Sequence, residues 1–169
     1  MTTTAHHHWF LRHPPGGRAT DGRTAGALLT SLPAQLREPL MRRARPVSCR
    51  RNDELLHEGA SGEGIYVIER GTATFSIAPE PGRRDAEPVV VGRLSRGDIV
   101  GESSVLDASG RYDCTVRADS TVRAWFIPVD AVREAIAADG GAEAALTALE
   151  SHLHAARFLR LLSRPSTPM

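Results

Sequence analysis

The chain has 169 residues, of which 41% are hydrophobic, which is enough for one domain with a buried core. Its 21 basic and 20 acidic residues give a formal net charge of +1. They are spread along the chain and do not build the broad basic surface that holds nucleic acid, so we expect no DNA binding by this chain alone.

Every basic residue is an arginine, and this bias indicates a GC-rich, bacterial genome. The two cysteines, Cys49 and Cys114, lack metal-ligand spacing, and we expect them to be reduced and buried. No apolar leader opens the chain, and no run reaches the roughly 18 apolar residues that a membrane span needs. We therefore predict a cytoplasmic protein without a membrane partner.

Residues 1–25 mix His, Pro, Gly and Arg without apolar periodicity, and they are predicted to form a disordered arm. The arm contains three adjacent histidines, His6 to His8. Three neighbouring side chains cannot all face one ion on a regular element, so we interpret them as part of the unstructured tract and predict no metal site.

Leucines recur at helical spacing between Ala27 and Arg43, but Pro33 and Pro39 interrupt the pattern. The pattern therefore predicts two short helices at the start of the ordered domain. The leucines are Leu28, Leu29, Leu32, Leu36 and Leu40.

Residues 46–127 contain short runs rich in Val, Ile, Phe and Tyr, separated by turn residues. Strands at this spacing predict an antiparallel sandwich or barrel. The polar stretch 78–87 is predicted to be a hairpin tip. The runs are "PVSCRR", "LLHEG", "GIYVIERG", "TATFSI", "PVVVGRL", "GDIV", "CTVRA" and "TVRAWFIP".

Two helices are predicted after the strands. The first covers 128–139 and stops at Gly140 and Gly141. The second covers 142–162 and carries an apolar stripe, so its roughly 20 residues would extend about 30 Å. Such a helix can pack across a small barrel or pair with its copy in a homodimer. Residues 164–169 are predicted to be a tail.

Three stretches carry a resemblance to a known family: "HEGASGEGIYVIERGTATFSI", "LSRGDIVGESSVL" and "CTVRADSTVRAWFIP". Together with the helices that follow, they resemble the cyclic nucleotide-binding domain of the catabolite activator family and of cyclic-AMP-dependent kinase regulatory subunits. The resemblance covers 26–163. It implies a mainly β fold with α, namely an antiparallel β-roll (a double-stranded jelly roll) flanked by short N-terminal helices and two C-terminal helices. It also implies a non-catalytic regulatory function, with cyclic AMP or a related cyclic nucleotide as ligand and no cofactor.

The resemblance places a phosphate-binding cassette at 101–114. Backbone N–H groups at the start of a short helix there can hold an anion, and Glu102 would accept a hydrogen bond from the ribose 2′-hydroxyl. The candidate binding residues in this half are Gly101, Glu102, Ser103 and Ser104. An alternative is that Ser103 or Ser104 only caps the helix.

The second half of the cassette departs from the family pattern, in which an arginine and a small residue precede the strand. Anchored on "TVRA", these positions fall on Tyr112 and Asp113, and Arg111 comes one place early. In a strand this shift would turn Arg111 away from the pocket, unless the backbone is still in a loop there. The missing arginine and the added carboxylate would weaken phosphate binding by about 10²- to 10⁴-fold. The candidate binding residues in this half are Arg111, Tyr112, Asp113, Cys114 and Thr115.

The last helix offers Arg157 and Arg160 as candidates for stacking on a purine base. An exposed helix face or a dimer rim is the alternative interpretation of both residues.

Three functions remain open. The first is a regulatory module that senses a cyclic nucleotide. The second is a scaffold or accessory protein that keeps the fold without binding nucleotide and pairs with itself or with a larger protein partner. The similar transcription factors continue into a helix-turn-helix DNA reader, whereas this sequence stops at Met169.

An enzyme is the third function. A metal-bearing cupin barrel would need several inward histidines and a carboxylate, yet the strand region offers only His57. His152 and His154 are two apart on a helix and face different sides. We therefore expect no catalysis.

Overall fold

A computed structural model describes residues 34–79, 87–106 and 108–138. In this part of the chain the helices are α1 (Ala34–Arg43), α2 (Ser103–Leu106) and α3 (Val129–Ala138). The strands are β1 (Arg45–Cys49), β2 (Glu54–Leu56), β3 (Gly64–Arg70), β4 (Ala73–Ile77), β5 (Val89–Leu94), β6 (Ile99–Val100), β7 (Thr115–Ala118) and β8 (Val122–Pro128).

The strands form two antiparallel sheets of four, in the orders β1-β8-β3-β6 and β2-β7-β4-β5. Each predicted apolar run overlaps one of these strands, and the antiparallel β-roll is confirmed. A closed barrel is not: among the described strands, each sheet keeps two edges, β1 and β6 in one and β2 and β5 in the other.

Side chains of β3 and β8 alternate between two apolar clusters. Tyr66 and Phe126 belong to the cluster between the sheets, whereas Ile65 and Trp125 belong to the cluster beneath the helices. Successive residues of a strand point to opposite faces, and both faces of this pair of strands are covered. This is why "IYVI" and "AWFI" are continuous apolar runs. The two cysteines are buried and free, as predicted.

Helix α1 runs through Pro39, so the predicted break at this residue is wrong. The proline removes one backbone donor from the helix. Two contacts hold the helix against the rest of the domain: Leu40 is fully buried, and Arg43 forms ion pairs of 2.7 Å with both Asp130 and Glu134 of α3. The expected helix before Pro33 lies outside the described residues.

Helix α3 confirms the first predicted C-terminal helix over its described length. The second C-terminal helix at 142–162, the arm at 1–25 and the tail at 164–169 lie outside the described residues. Within the described ranges, no helix has both the length and the apolar character of a membrane span.

Candidate functional site

The cassette begins at Gly101, which follows β6 directly and precedes α2. Its φ of +90° lies in the left-handed region that favours glycine. A Cβ at this position would lie 2.8 Å from the Gly64 carbonyl oxygen and 3.1 Å from Cε1 of Tyr112. Any side chain here would displace the backbone of β3, so the turn into α2 requires glycine.

The three residues after Gly101 have polar side chains and are buried. Glu102 is 1% exposed, Ser103 is fully buried and Ser104 is 2% exposed. Glu102 therefore holds its carboxylate in a low-dielectric environment, where hydrogen bonds and charge interactions are stronger than in water.

Both serine hydroxyl groups bond within the protein. The Ser104 hydroxyl donates to the Gly101 carbonyl oxygen at 2.6 Å and lies 3.3 Å from that of Gly64, while the Ser103 hydroxyl oxygen accepts a bond of 3.2 Å from the Asp113 N–H. These contacts tie the two halves of the cassette to each other and to β3.

The β2–β3 loop packs tightly against the cassette at Gly62. A Cβ at Gly62 would overlap the Cβ of Ser104, and it would lie 3.0 Å from the Gly110 carbonyl oxygen, which accepts a bond of 2.8 Å from the Gly62 N–H. This glycine is therefore needed for a close approach. The start of α2 and the residue before Arg111 consequently lie side by side.

Tyr112 occupies the interior beneath Gly101 and is 3% exposed. Its hydroxyl donates to the Gly64 carbonyl oxygen at 3.1 Å and accepts a bond of 3.2 Å from the Glu63 N–H. Its backbone N–H donates to the Ala60 carbonyl oxygen at 3.1 Å. The residue at the position where the resemblance implies arginine is thus a neutral side chain that joins the cassette to β3.

Arg111 lies in a loop, because β7 begins only at Thr115. Its side chain is exposed, and Nη1 donates to the Gly59 carbonyl oxygen at 2.6 Å. An isolated bridge pairs Arg111 with Ser61. The guanidinium therefore lies at the rim of the cassette, above the β2–β3 loop.

The remaining candidates of the second half have different surroundings. Asp113 follows the buried Tyr112 in the sequence and is itself half-buried. Cys114 is 7% exposed and belongs to the core cluster between the sheets. The Thr115 hydroxyl oxygen accepts a bond of 3.1 Å from the Glu58 N–H. Arg157 and Arg160 lie outside the described residues.

The part of the site that the sequence did not predict is the start of β3. The Gly64 carbonyl oxygen accepts a hydrogen bond from the Tyr112 hydroxyl and contacts the Ser104 hydroxyl. A Cβ at Gly64 would overlap the Ile127 carbonyl oxygen. The available signal was the second glycine of "GEG" directly before "IYVI". In the described ranges, no group of three His, Cys, Asp or Glu side chains could hold a metal ion, and the His57 ring is exposed and lies 3.1 Å from a Glu54 carboxylate oxygen.

The burial of the two tyrosines of the chain predicts how tyrosine ionisation and stability change at high pH. Burial raises the pKa of Tyr112 to about 12, and burial also raises the pKa of Tyr66 well above 10. The native chain should therefore show no tyrosinate absorbance near pH 10, where the chain in denaturant ionises. The stability that the raised pKa of Tyr112 contributes is complete below pH 10 and is lost as the pH rises through about 12. A native titration midpoint near 10, with circular dichroism unchanged, would contradict this burial.

The family is decided by the match of a sequence model described as cyclic nucleotide-binding domain, which covers residues 46–139. The chain belongs to this family. Most of the β-roll, the cassette and α3 lie inside the matched range. Domains of this family are typically regulatory, non-catalytic modules. No significant match was found among curated protein sequences.

Solved structures of this family are similar to the chain in fold. A cyclic nucleotide-binding domain from Methylobacillus flagellatus is 16% identical with a TM-score of 0.67, over 83% of this chain and 79% of that one. The regulatory domain of Toxoplasma gondii PKA with cAMP is 18% identical with a TM-score of 0.62, over 78% of this chain and 50% of that one.

The regulatory subunit of a cAMP-independent protein kinase A from Trypanosoma brucei is 21% identical with a TM-score of 0.53, over 63% of this chain and 37% of that one. The chain therefore spans half or less of the length of the two kinase regulatory proteins.

Proposed function

We propose that this chain is a non-catalytic regulatory protein that binds a cyclic nucleotide, cyclic AMP or a relative, with low affinity. The observation that carries the proposal is the position of Arg111 at the cassette rim. A guanidinium has five N–H donors, and one of them bonds the Gly59 carbonyl oxygen, which leaves others for a phosphate. Gly62 lies close to both Ser104 and Gly110. Arg111, which follows Gly110, is therefore near the first half of the cassette.

Low affinity follows from the two residues after Arg111. Tyr112 supplies no charge, and the half-buried Asp113, which lies between Tyr112 and β7 in the sequence, adds a carboxylate. A carboxylate about 4 Å from a phosphate opposes binding by about 1 kcal/mol in water and about 4 kcal/mol at an effective dielectric constant of 20. Relative to a site with an inward arginine, we expect a loss of about 10²- to 10⁴-fold.

A regulatory output requires that the ligand bind two conformations with different affinity. Helix α2 contacts α3, and α3 contacts α1, so a ligand over the cassette adjoins a continuous set of helices. We propose that this set passes the signal on, through the C-terminal residues 142–162, to a second copy of the chain or to a larger protein partner. The chain acts in the cytoplasm and does not bind DNA by itself.

The second candidate is an interaction protein that keeps the fold but does not respond to nucleotide. Tyr112 favours it, because its hydroxyl and ring make the cassette a self-supporting part of the core. One similar structure is described as belonging to a cAMP-independent kinase, and a triple mutant of that subunit, which includes a threonine-to-arginine change, is described as bound to cAMP in its A site.

Calorimetric titration of the full chain with cyclic AMP, cyclic GMP and cyclic dinucleotides separates the two candidates. We expect saturable binding of one cyclic nucleotide with a dissociation constant between about 0.1 and 10 mM, because a micromolar site would be weakened by the factor given above. Linear AMP serves as the control for general anion binding. If no cyclic nucleotide binds or raises the melting temperature at concentrations above about 10 mM, the top of the expected range, the sensor function is wrong and the interaction protein remains.

A further inference from the structure

A second positively charged site lies at the far end of β3 from the cassette. Gly64, at the start of this strand, contacts the cassette, whereas Arg70, at its end, lines a cleft of about 420 Å³. The seven residues of β3 separate the two sites by about 20 Å. The cleft is lined by Glu69, Arg70, Gly71, Arg96 and Arg123.

Strand register brings two of these arginines together. Arg70 of β3 and Arg123 of β8 are direct cross-strand partners, an arrangement in which like charges destabilise a sheet. Glu69 lies 3.6 Å from the Nε of Arg123 and compensates one positive charge. With three arginines and one glutamate, the lining residues carry a formal charge of +2.

Arg96 enters the cleft from a fixed turn between β5 and β6. The Gly97 N–H donates to the Ile68 carbonyl oxygen at 2.8 Å, and the Ser95 N–H donates to the Asp98 carboxylate at 2.7 Å. The turn is therefore held against β3, and Arg96 lines the same cleft as Arg70. Because the backbone of this turn is already fixed, it loses little conformational freedom when a ligand binds. In the described part of the chain, neither Arg70 nor Arg96 pairs with a carboxylate.

We propose that this cleft binds a pyrophosphate group, as found in inorganic pyrophosphate or in a nucleoside polyphosphate. Guanidinium groups match phosphate oxygens in two-point hydrogen bonds, and several of them suit an anion with more than one charge. A cyclic nucleotide carries a single negative charge and is a poorer match for the +2 cleft. The site is thus separate from the cassette in both position and ligand class.

The test is calorimetric titration of the full chain with inorganic pyrophosphate at low and at high salt. We expect saturable binding that weakens as salt screens the arginines. Arg70→Ala and Arg96→Ala should each weaken binding about tenfold, as expected for loss of a charge-assisted bond. Glu69→Gln should tighten binding about threefold, because it removes the only carboxylate of the lining.

Arg133→Ala is the matched control, since Arg133 is exposed on α3 and outside the cleft. A parallel titration with ADP identifies the source of the pyrophosphate group: tighter binding than pyrophosphate indicates a nucleotide, and equal binding indicates the pyrophosphate group alone. Unchanged affinity in the arginine variants, or no binding of pyrophosphate, would overturn the proposal. The proposal would also be overturned if the cleft bound a glutamate-rich peptide and did not bind pyrophosphate. Because the cleft is separate from the cassette, none of these outcomes depends on the response to cyclic AMP.

Discussion

Asp113→Asn is expected to tighten the binding of cyclic AMP by about tenfold, since the substitution removes a negative charge beside the proposed phosphate position. Asp113 is half-buried, so solvent screens its repulsion only in part. Its backbone N–H, which donates to the Ser103 hydroxyl oxygen, is retained in the variant. The measurement is calorimetric titration of both proteins under the same conditions.

Arg111→Ala should have the opposite effect and abolish measurable binding, because a charge-assisted bond contributes about 1.5 to 3 kcal/mol. Glu38→Gln is the control for Asp113: it also removes one negative charge, but from an exposed position on α1. Arg51→Ala is the control for Arg111, since Arg51 is exposed in the β1–β2 turn. Equal affinity in Asp113→Asn and the wild-type chain would show that no phosphate lies near this carboxylate.

Tyr112→Ala is expected to lower the free energy of unfolding by about 3 to 5 kcal/mol, the usual cost of deleting a buried aromatic ring. Tyr112→Phe keeps the ring and should cost about 1 to 3 kcal/mol, because it removes the hydroxyl that donates to the buried Gly64 carbonyl oxygen and accepts a bond from the part-buried Glu63 N–H. Both values are measured by denaturant unfolding near neutral pH, where the tyrosines are protonated.

Tyr66→Phe is the comparison for this pair. Tyr66 is equally buried and packs against Phe126 at a ring-centroid distance of 5.0 Å. Loss of its hydroxyl should cost less than the loss of the Tyr112 hydroxyl, which also holds the backbone of β3. If Tyr112→Phe is as stable as the wild-type chain, the hydroxyl does not anchor the cassette, and the structural role assigned to Tyr112 is wrong.

The strands could be predicted from the sequence because turn residues separate short β-branched and aromatic runs. The runs "IYVI" and "AWFI" are apolar on both faces, and the two clusters that flank β3 and β8 explain this pattern. The helix through Pro39 could not be predicted, since packing of Leu40 and the ion pairs of Arg43 lie outside any local pattern.

The cassette was predictable only in part. Its position follows from Gly101, whose left-handed backbone and contact with β3 exclude other residues. The sequence also identified the shift of Arg111 relative to β7, but it could not show where the side chains of Arg111 and Tyr112 lie. The loop conformation before Thr115 lets Arg111 bond to Gly59 while Tyr112 turns into the core. This local arrangement depends on contacts with the β2–β3 loop, which is distant in sequence.

The most direct test of the nucleotide site is an amide NMR titration of the full chain with cyclic AMP. The proposed function predicts concentration-dependent shifts for residues 101–104 and for Arg111 to Asp113, with smaller shifts on α3, which α2 contacts. Shifts confined to the cleft residues Arg70 and Arg96, or an unchanged spectrum at cyclic AMP concentrations above about 10 mM, would contradict it.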